Sequence, residues 1–409
     1  MKAVYQVLKG IIVGSIMSLA LIFFVAALTT DFALIRAVMN AEILYESDLK
    51  EISKRGYFGK YVSASANREV GESGQTKLSV RLFDIFRIRN KDINISKPKN
   101  VSLGGEIVAM FLKPEGLIVD KVGTVKTKDG EKEVFETGKL KEGDIIIEVA
   151  GKKVQSVADI QKVLLKAEPE IDVKILRGIN ELTLKASPQI SVSCNQKRLG
   201  VFLRDDFGGI GTLTYIDGNG RFGALGHSIS VYGHNPDIES GRISRARFLS
   251  VEKAEKGKTG SIRAAESFEK GAGLGEISKN SKIGVFGTIK NKEYLKSFAS
   301  AETASRFSVK PGAAKILTQV GEGEPEFYDV KILKASKQHK SQSRGIVLKV
   351  TDKRLIEKTG GIVQGMSGSP IVQNGKIVGA VTHVFLNDAT KGYGIYLDFM
   401  MQENNILQN

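Results

Sequence analysis

From Leu199 to the C-terminus the chain repeats one pattern: short apolar runs broken by glycine turns, as in "LGVFLRDDFGGIGTLTYIDGNGRFGALGHSIS". Short strands with turns at close spacing fold as sandwiches or barrels, and "DGNG" between two such runs is a hairpin signal. With 44 glycines and only 7% aromatic residues, a helical bundle is a poor fit. The expectation is a mainly β chain with enough apolar residues, 42%, for a sizeable core. Its 409 residues allow two or three domains.

The N-terminus adds a second constraint. Lys2 and Lys9 precede an uncharged run from Gly10 to Thr30, long enough to cross a hydrocarbon core of about 20 residues. With the positive flank cytoplasmic, everything after Asp31 is translocated. The expectation is a transmembrane segment or signal anchor over residues 1–30, with a cleaved signal peptide as the alternative. Residues 31–99 read as a stalk and a small β-rich region, containing the alternating stretch "KLSVRLFDIFRIRNKDINI".

Charge and cysteine content exclude several classes. The net charge of +15 permits contact with anionic lipid or acidic protein surfaces, although a solvated basic surface is the ordinary explanation. The basic residues are scattered and carry no nucleic-acid-binding motif, so no nucleic acid is expected as a partner. Cys194 is the only cysteine, which rules out an intramolecular disulfide and a multi-cysteine zinc site. It lacks a glycine-rich elbow and reads as a small buried residue. No cofactor and no metal is expected.

Residues 100–190 contain "GLIVDKV", then "GKLKEGDIIIEVAGKKV", then "SVADIQKVLLKA", whose Val157, Ile160, Val163 and Leu164 share one helical face. Ser156 or Asp159 suits the helix start. This order resembles a PDZ domain (α+β). The resemblance implies a module that binds an extended peptide by strand addition, with Gly116, Leu117, Ile118 and Val119 as its binding residues. The ligand would be a peptide or C-terminus, including a segment of this same chain.

The remaining region, 191–409, holds "GMSGSP" at 365–370. A serine hydroxyl is a weak nucleophile until a base activates it. Ser367, flanked by Gly365 and Gly368, suits a tight turn in which the amides of Gly365 and Ser367 point at a developing oxyanion. Ser369 precedes Pro370 and reads as a packing residue. Of four histidines, His339 lies in a polar stretch and His383 in an apolar strand, where a satisfied core histidine is the ordinary explanation. His227 in "GALGHSIS" is the best base and His234 the second choice. For the orienting acid the residues alone leave Asp237 and Asp217 open.

"GxSGSP" resembles the nucleophile turn of chymotrypsin-like serine peptidases. "GIGTLTYID" (209–217), "FGALGHSIS" (222–230) and the long stretch 350–400 resemble the stage IV sporulation protein B peptidase family. The order of membrane segment, PDZ domain and peptidase domain resembles that family as well. The resemblance implies a chymotrypsin-like double β-barrel with catalytic His227, Asp352 and Ser367. It further implies a membrane-tethered sporulation signalling endopeptidase in the space between the forespore membranes. Such an enzyme cleaves itself and a regulatory membrane protein, switching on an intramembrane protease and late mother-cell sigma factor processing. The alternative is a catalytically silent PDZ signalling protein.

Overall fold

The computed structural model describes residues 14–18, 43–45, 48, 62–66, 75–82, 86–296, 298–336, 338 and 340–407. Most of the expected membrane segment lies outside these residues, as does His339. No helix among the described residues is long and apolar enough to cross a membrane.

Two closed six-stranded barrels form the body of the protein. In the first, Ile107–Pro114 pairs with both Phe207–Ile216 and Ile238–Glu252. Gly273–Ser281, Gly284–Ile289 and Arg221–Ala224 continue the ring until Arg221–Ala224 meets Phe207–Ile216. In the second, Gly312–Thr318 lies between Glu326–Ala335 and Pro370–Gln373. Ile346–Val350, Asp388–Tyr396 and Lys376–Phe385 close that ring. Asn100–Leu103 and Ser300–Thr303 bridge one barrel to the other.

The strands form where the sequence alternates. In "EFYDVKILKA" Tyr328, Val330 and Ile332 are buried while the intervening residues face water, the period of two that a half-buried strand requires. "DGNG" turns as expected: Asp217 accepts from Asn219 N and Arg221 N, and closes the Phe207–Ile216 hairpin. Each barrel has its own core, with Val108, Leu213 and Phe222 in the first and Ile316, Leu348 and Val381 in the second.

Two domain boundaries differ from the expectation. Residues 100–190 do not form one unit, because Asn100–Leu103 and Ile107–Pro114 belong to the barrel sheet. Conversely, Val201–Arg204 belongs to a smaller sheet, ordered Asn180–Ala186, Ile171–Arg177, Ile145–Val149, Leu117–Val122, Val201–Arg204. A helix, Val157–Leu164, packs on it through Ile160 and Leu164, with Ser156 as its N-cap. The small domain is therefore inserted between two barrel strands that are neighbours, since Leu112 stands opposite Phe207. Antiparallel neighbours bring those two ends to within about 5 Å, so an insertion there leaves the barrel register undisturbed.

A fragment of residues 190–409 lacks the Ile107–Pro114 strand and leaves the first barrel open. It is expected to show no cooperative thermal transition by circular dichroism, whereas residues 31–409 melt cooperatively. Equal cooperativity in both would contradict the insertion topology.

Candidate active site

His227 and Ser367 come from different barrels, and both lie against the Thr382–His383 stretch at the seam between them. After the Arg221–Ala224 strand the chain turns through two left-handed residues, Leu225 (φ 66°) and Gly226 (φ 72°). A buried leucine in that region costs roughly 1–3 kcal/mol, and Leu225 is held there by its amide bond to Thr212 O. The turn presses Gly226 against the second barrel, where any side chain would meet Thr382 and Ile395. His227 is thereby delivered half-buried beside the second barrel.

Ser367 sits in the turn Gly365–Ser369. Gly365 (φ 99°) and Gly368 (φ 100°) both adopt conformations that favour glycine, and a β-carbon on Gly368 would collide with Thr212 O and Leu225 N. Two threonines of the first barrel hold the turn. Thr212 donates from its amide to Ser367 O (2.9 Å) and from its hydroxyl to Gly365 O (2.7 Å), and Thr214 donates to Gly368 O (2.8 Å). The amides of Gly365 and Ser367 have no acceptor among the described residues, the state in which such donors can receive an oxyanion. Ser369 is fully buried and donates to Met366 O (2.7 Å), a packing role.

The Ser367 hydroxyl donates to Thr382 O at 2.8 Å rather than to His227. His227 Nδ1 donates to the carbonyl of Ser228 at 2.8 Å. Burial lowers the His227 pKa from its ordinary 6.5, opposed only by that carbonyl, so the ring is favoured in the neutral form that a general base needs.

His383 is not the satisfied core histidine expected from its apolar strand. Its ring lies 5.3 Å from that of His227, centroid to centroid, and its buried Nδ1 has no hydrogen-bond partner. Burial, then the neighbouring His227 and Arg344, push its pKa down to about 4.

Asp352 is not brought to His227. Ile346 pairs with Gly394, which pairs with Val381 next to the serine turn. The strand that follows, Ile346–Val350, ends just before Asp352. Asp352 caps the helix Lys353–Thr359 through Arg354 N, pairs with the Arg354 guanidinium (3.0 Å) and accepts from Asp329 N (3.2 Å). The Arg354 pairing, with these two amides, holds its pKa at about 2. The alternatives do no better: Asp217 pairs with Arg221 (2.8 Å), and Asp237 and His234 are exposed.

The expected peptide-binding residues Gly116–Val119 are also displaced from that role. Leu117, Ile118 and Val119 are fully buried, and their strand is paired on both sides, with Ile145–Val149 and with Val201–Arg204. A strand with both edges filled has no free main-chain groups to offer. The sheet ends instead at Val201–Arg204. Cys194 is exposed, not buried.

Thr212 and Thr214 escaped the sequence reading, although two threonines at a spacing of two in an apolar strand, "GIGTLTYI", are a signal of buried polar groups that need partners. The nearness of His383 to His227 left no local signal.

Because Asp352 acts as a cap, Asp352→Ala is expected to lower the unfolding free energy by about 0.5–2 kcal/mol at pH 7. Its folded pKa is depressed, so this stability is present above the ordinary 3.8 and is lost as pH falls through about 2. Urea titrations at pH 7 and pH 2 should show the two proteins converging at the lower pH. Asp352→Asn, which keeps the cap, should retain most of the peptidase activity, and its abolition would restore Asp352 to the catalytic set.

The family described as SpoIVB peptidase S55 matches residues 195–401. No curated protein matches the chain. Among solved structures, the active form of the Rv3671c protease from M. tuberculosis is 15% identical, over 50% of this chain and 75% of that one, with a TM-score of 0.29. The HtrA-type protease AlgW with a tripeptide is 11% identical, over 49% and 56%, with a TM-score of 0.29. The protease domain of MamO from Magnetospirillum magneticum is 11% identical, over 47% and 87%, with a TM-score of 0.27. The family match spans just over half of the 409 residues, and the chain belongs to the SpoIVB peptidase S55 family of serine peptidases.

Proposed function

We propose that the protein is a membrane-tethered sporulation signalling endopeptidase in which Ser367 attacks the scissile carbonyl and His227 takes and returns the proton. The amides of Gly365 and Ser367 hold the oxyanion, a contribution of about 10²–10³ in rate per donor. The observation that carries this reading is the convergence of the His227 turn and the Gly365–Ser369 turn at the barrel seam, locked by Thr212 and Thr214. In this reading the Ser367 hydroxyl exchanges the Thr382 carbonyl for His227 when substrate arrives. Such bonds commonly tighten only in the substrate complex.

The substrates in this reading are the chain itself and a regulatory membrane protein, met on the translocated side of a membrane. Supporting it are the family and the uncharged run Gly10–Thr30 behind Lys2 and Lys9. The inserted domain serves as a PDZ-like module. Its docking edge is the outer side of Val201–Arg204, the strand that ends its sheet.

Full-length protein in detergent and its Ser367→Ala variant decide the central point. The wild type should fragment itself and hydrolyse peptide, and the variant should lose more than roughly 10³-fold. Equal cleavage by both would remove Ser367 from the mechanism, and no cleavage by either would favour a binding role. The acid limb of kcat/KM should fall below the ordinary histidine value of 6.5, because burial lowers the His227 pKa and keeps the base neutral to lower pH. The groups facing that ring are His383 and, beyond it, Arg344.

A further inference from the structure

In a serine peptidase the histidine must carry its proton on Nδ1, so that the Nε2 lone pair faces the serine. A buried carboxylate usually enforces this. Among the described residues none is bonded to His227: Asp352 caps the helix Lys353–Thr359, Asp217 is paired with Arg221 and Asp237 is exposed. What His227 Nδ1 does meet is the carbonyl of Ser228, at 2.8 Å. A carbonyl only accepts, so this contact fixes the proton on Nδ1.

A carbonyl one residue away is a loose anchor unless its peptide plane is held. That plane is held. The N–H at its other end, on Ile229, donates to Asn280 Oδ1 at 2.9 Å. Asn280 Nδ2 donates in turn to Ile229 O, also at 2.9 Å. One carboxamide thus grips both main-chain groups of Ile229. Asn280 is itself fixed by the barrel ladder, opposite Val285 near the end of the Gly273–Ser281 strand.

We propose that Asn280 is the positioning residue for the His227 imidazole, acting through the peptide group that joins Ser228 to Ile229. The bond at the N–H end of that peptide polarises its carbonyl and strengthens it as an acceptor, since bonds in a chain reinforce one another. The arrangement replaces a full negative charge with a fixed dipole. It sets the tautomer while raising the basicity of the ring less than a full carboxylate charge would. The neighbouring His383 offers no substitute, because its buried Nδ1 makes no hydrogen bond.

The proposal rests on the reading of His227 as the base, and the experiment separates the two. Full-length protein in detergent, labelled with ¹⁵N-histidine, is compared as wild type, Asn280→Ala and Asn280→Asp, with the His227 signal assigned by its loss in His227→Gln. The wild type should show the Nδ1–H tautomer and Asn280→Ala a mixture with Nε2–H. Asn280→Asp, which still accepts from the Ile229 N–H, should keep Nδ1–H.

In peptide hydrolysis, Asn280→Ala should lower kcat by about 10–100-fold with little change in KM. Asn280→Asp should recover most of kcat and move the acid limb upward, since it adds a negative charge near the ring. An unchanged tautomer and kcat in Asn280→Ala overturns the proposal. Should that variant fail to fold, an unmoved acid limb together with loss of Nδ1–H in Asn280→Asp overturns it instead. If wild type and Ser367→Ala hydrolyse alike, the peptidase reading falls, while the NMR arm still decides whether Asn280 sets the ring.

Discussion

Two hydroxyl groups in the wall of one barrel hold the Gly365–Ser369 turn of the other. Thr212 and Thr214 are fully buried, and their donors satisfy the carbonyls of Gly365 and Gly368, which no strand ladder could reach at so sharp a turn. Leaving such carbonyls unpaired in a buried seam would cost about 1–3 kcal/mol each. The shape of the serine turn therefore depends on the registration of the first barrel, and so does the distance at which His227 approaches it.

The same seam dictates the electrostatics. His227 and His383 stand side by side, both disfavoured as cations by burial. Two neutral rings in contact keep the local field weak, and the fixed dipoles of peptide groups then matter more than they would in water. An imidazole seated against a carbonyl and a second imidazole suits a site in which charge is meant to develop only during reaction. The price of the geometry is the left-handed Leu225, whose strain is offset by its bond to Thr212 and by burial in the first barrel.

How much of this could be read from the chain follows from range. The strands and the "DGNG" hairpin were legible because period and turn chemistry are local. The tight turn at Ser367 and the strand-end placing of His227 were legible because glycines around a serine and a glycine before a histidine leave a local mark. Asp352 was misleading in the opposite sense. It lies near the serine in sequence, yet the helix Lys353–Thr359 fills much of the stretch between them, and "VTDKR" is the capped start of that helix. The insertion was invisible because the pairing of Leu112 with Phe207 spans a whole domain. Asn280 reads as an ordinary turn residue, and its grip on Ile229 is a contact across 51 positions.

The inserted domain is joined at Pro114 and at Phe207, the ends of two adjacent strands. It is held by packing as well, since its Ile118 and Ile145 share the buried apolar cluster of the first barrel. Its Asp120 accepts a hydrogen bond from the Tyr232 hydroxyl (3.1 Å to the carbonyl oxygen), and Gly143 lies against the Tyr232 ring. Tyr232 belongs to the same surface segment as His227. The small domain is therefore in direct contact with the segment that carries the histidine, and its place of insertion ties the packing of one to the other.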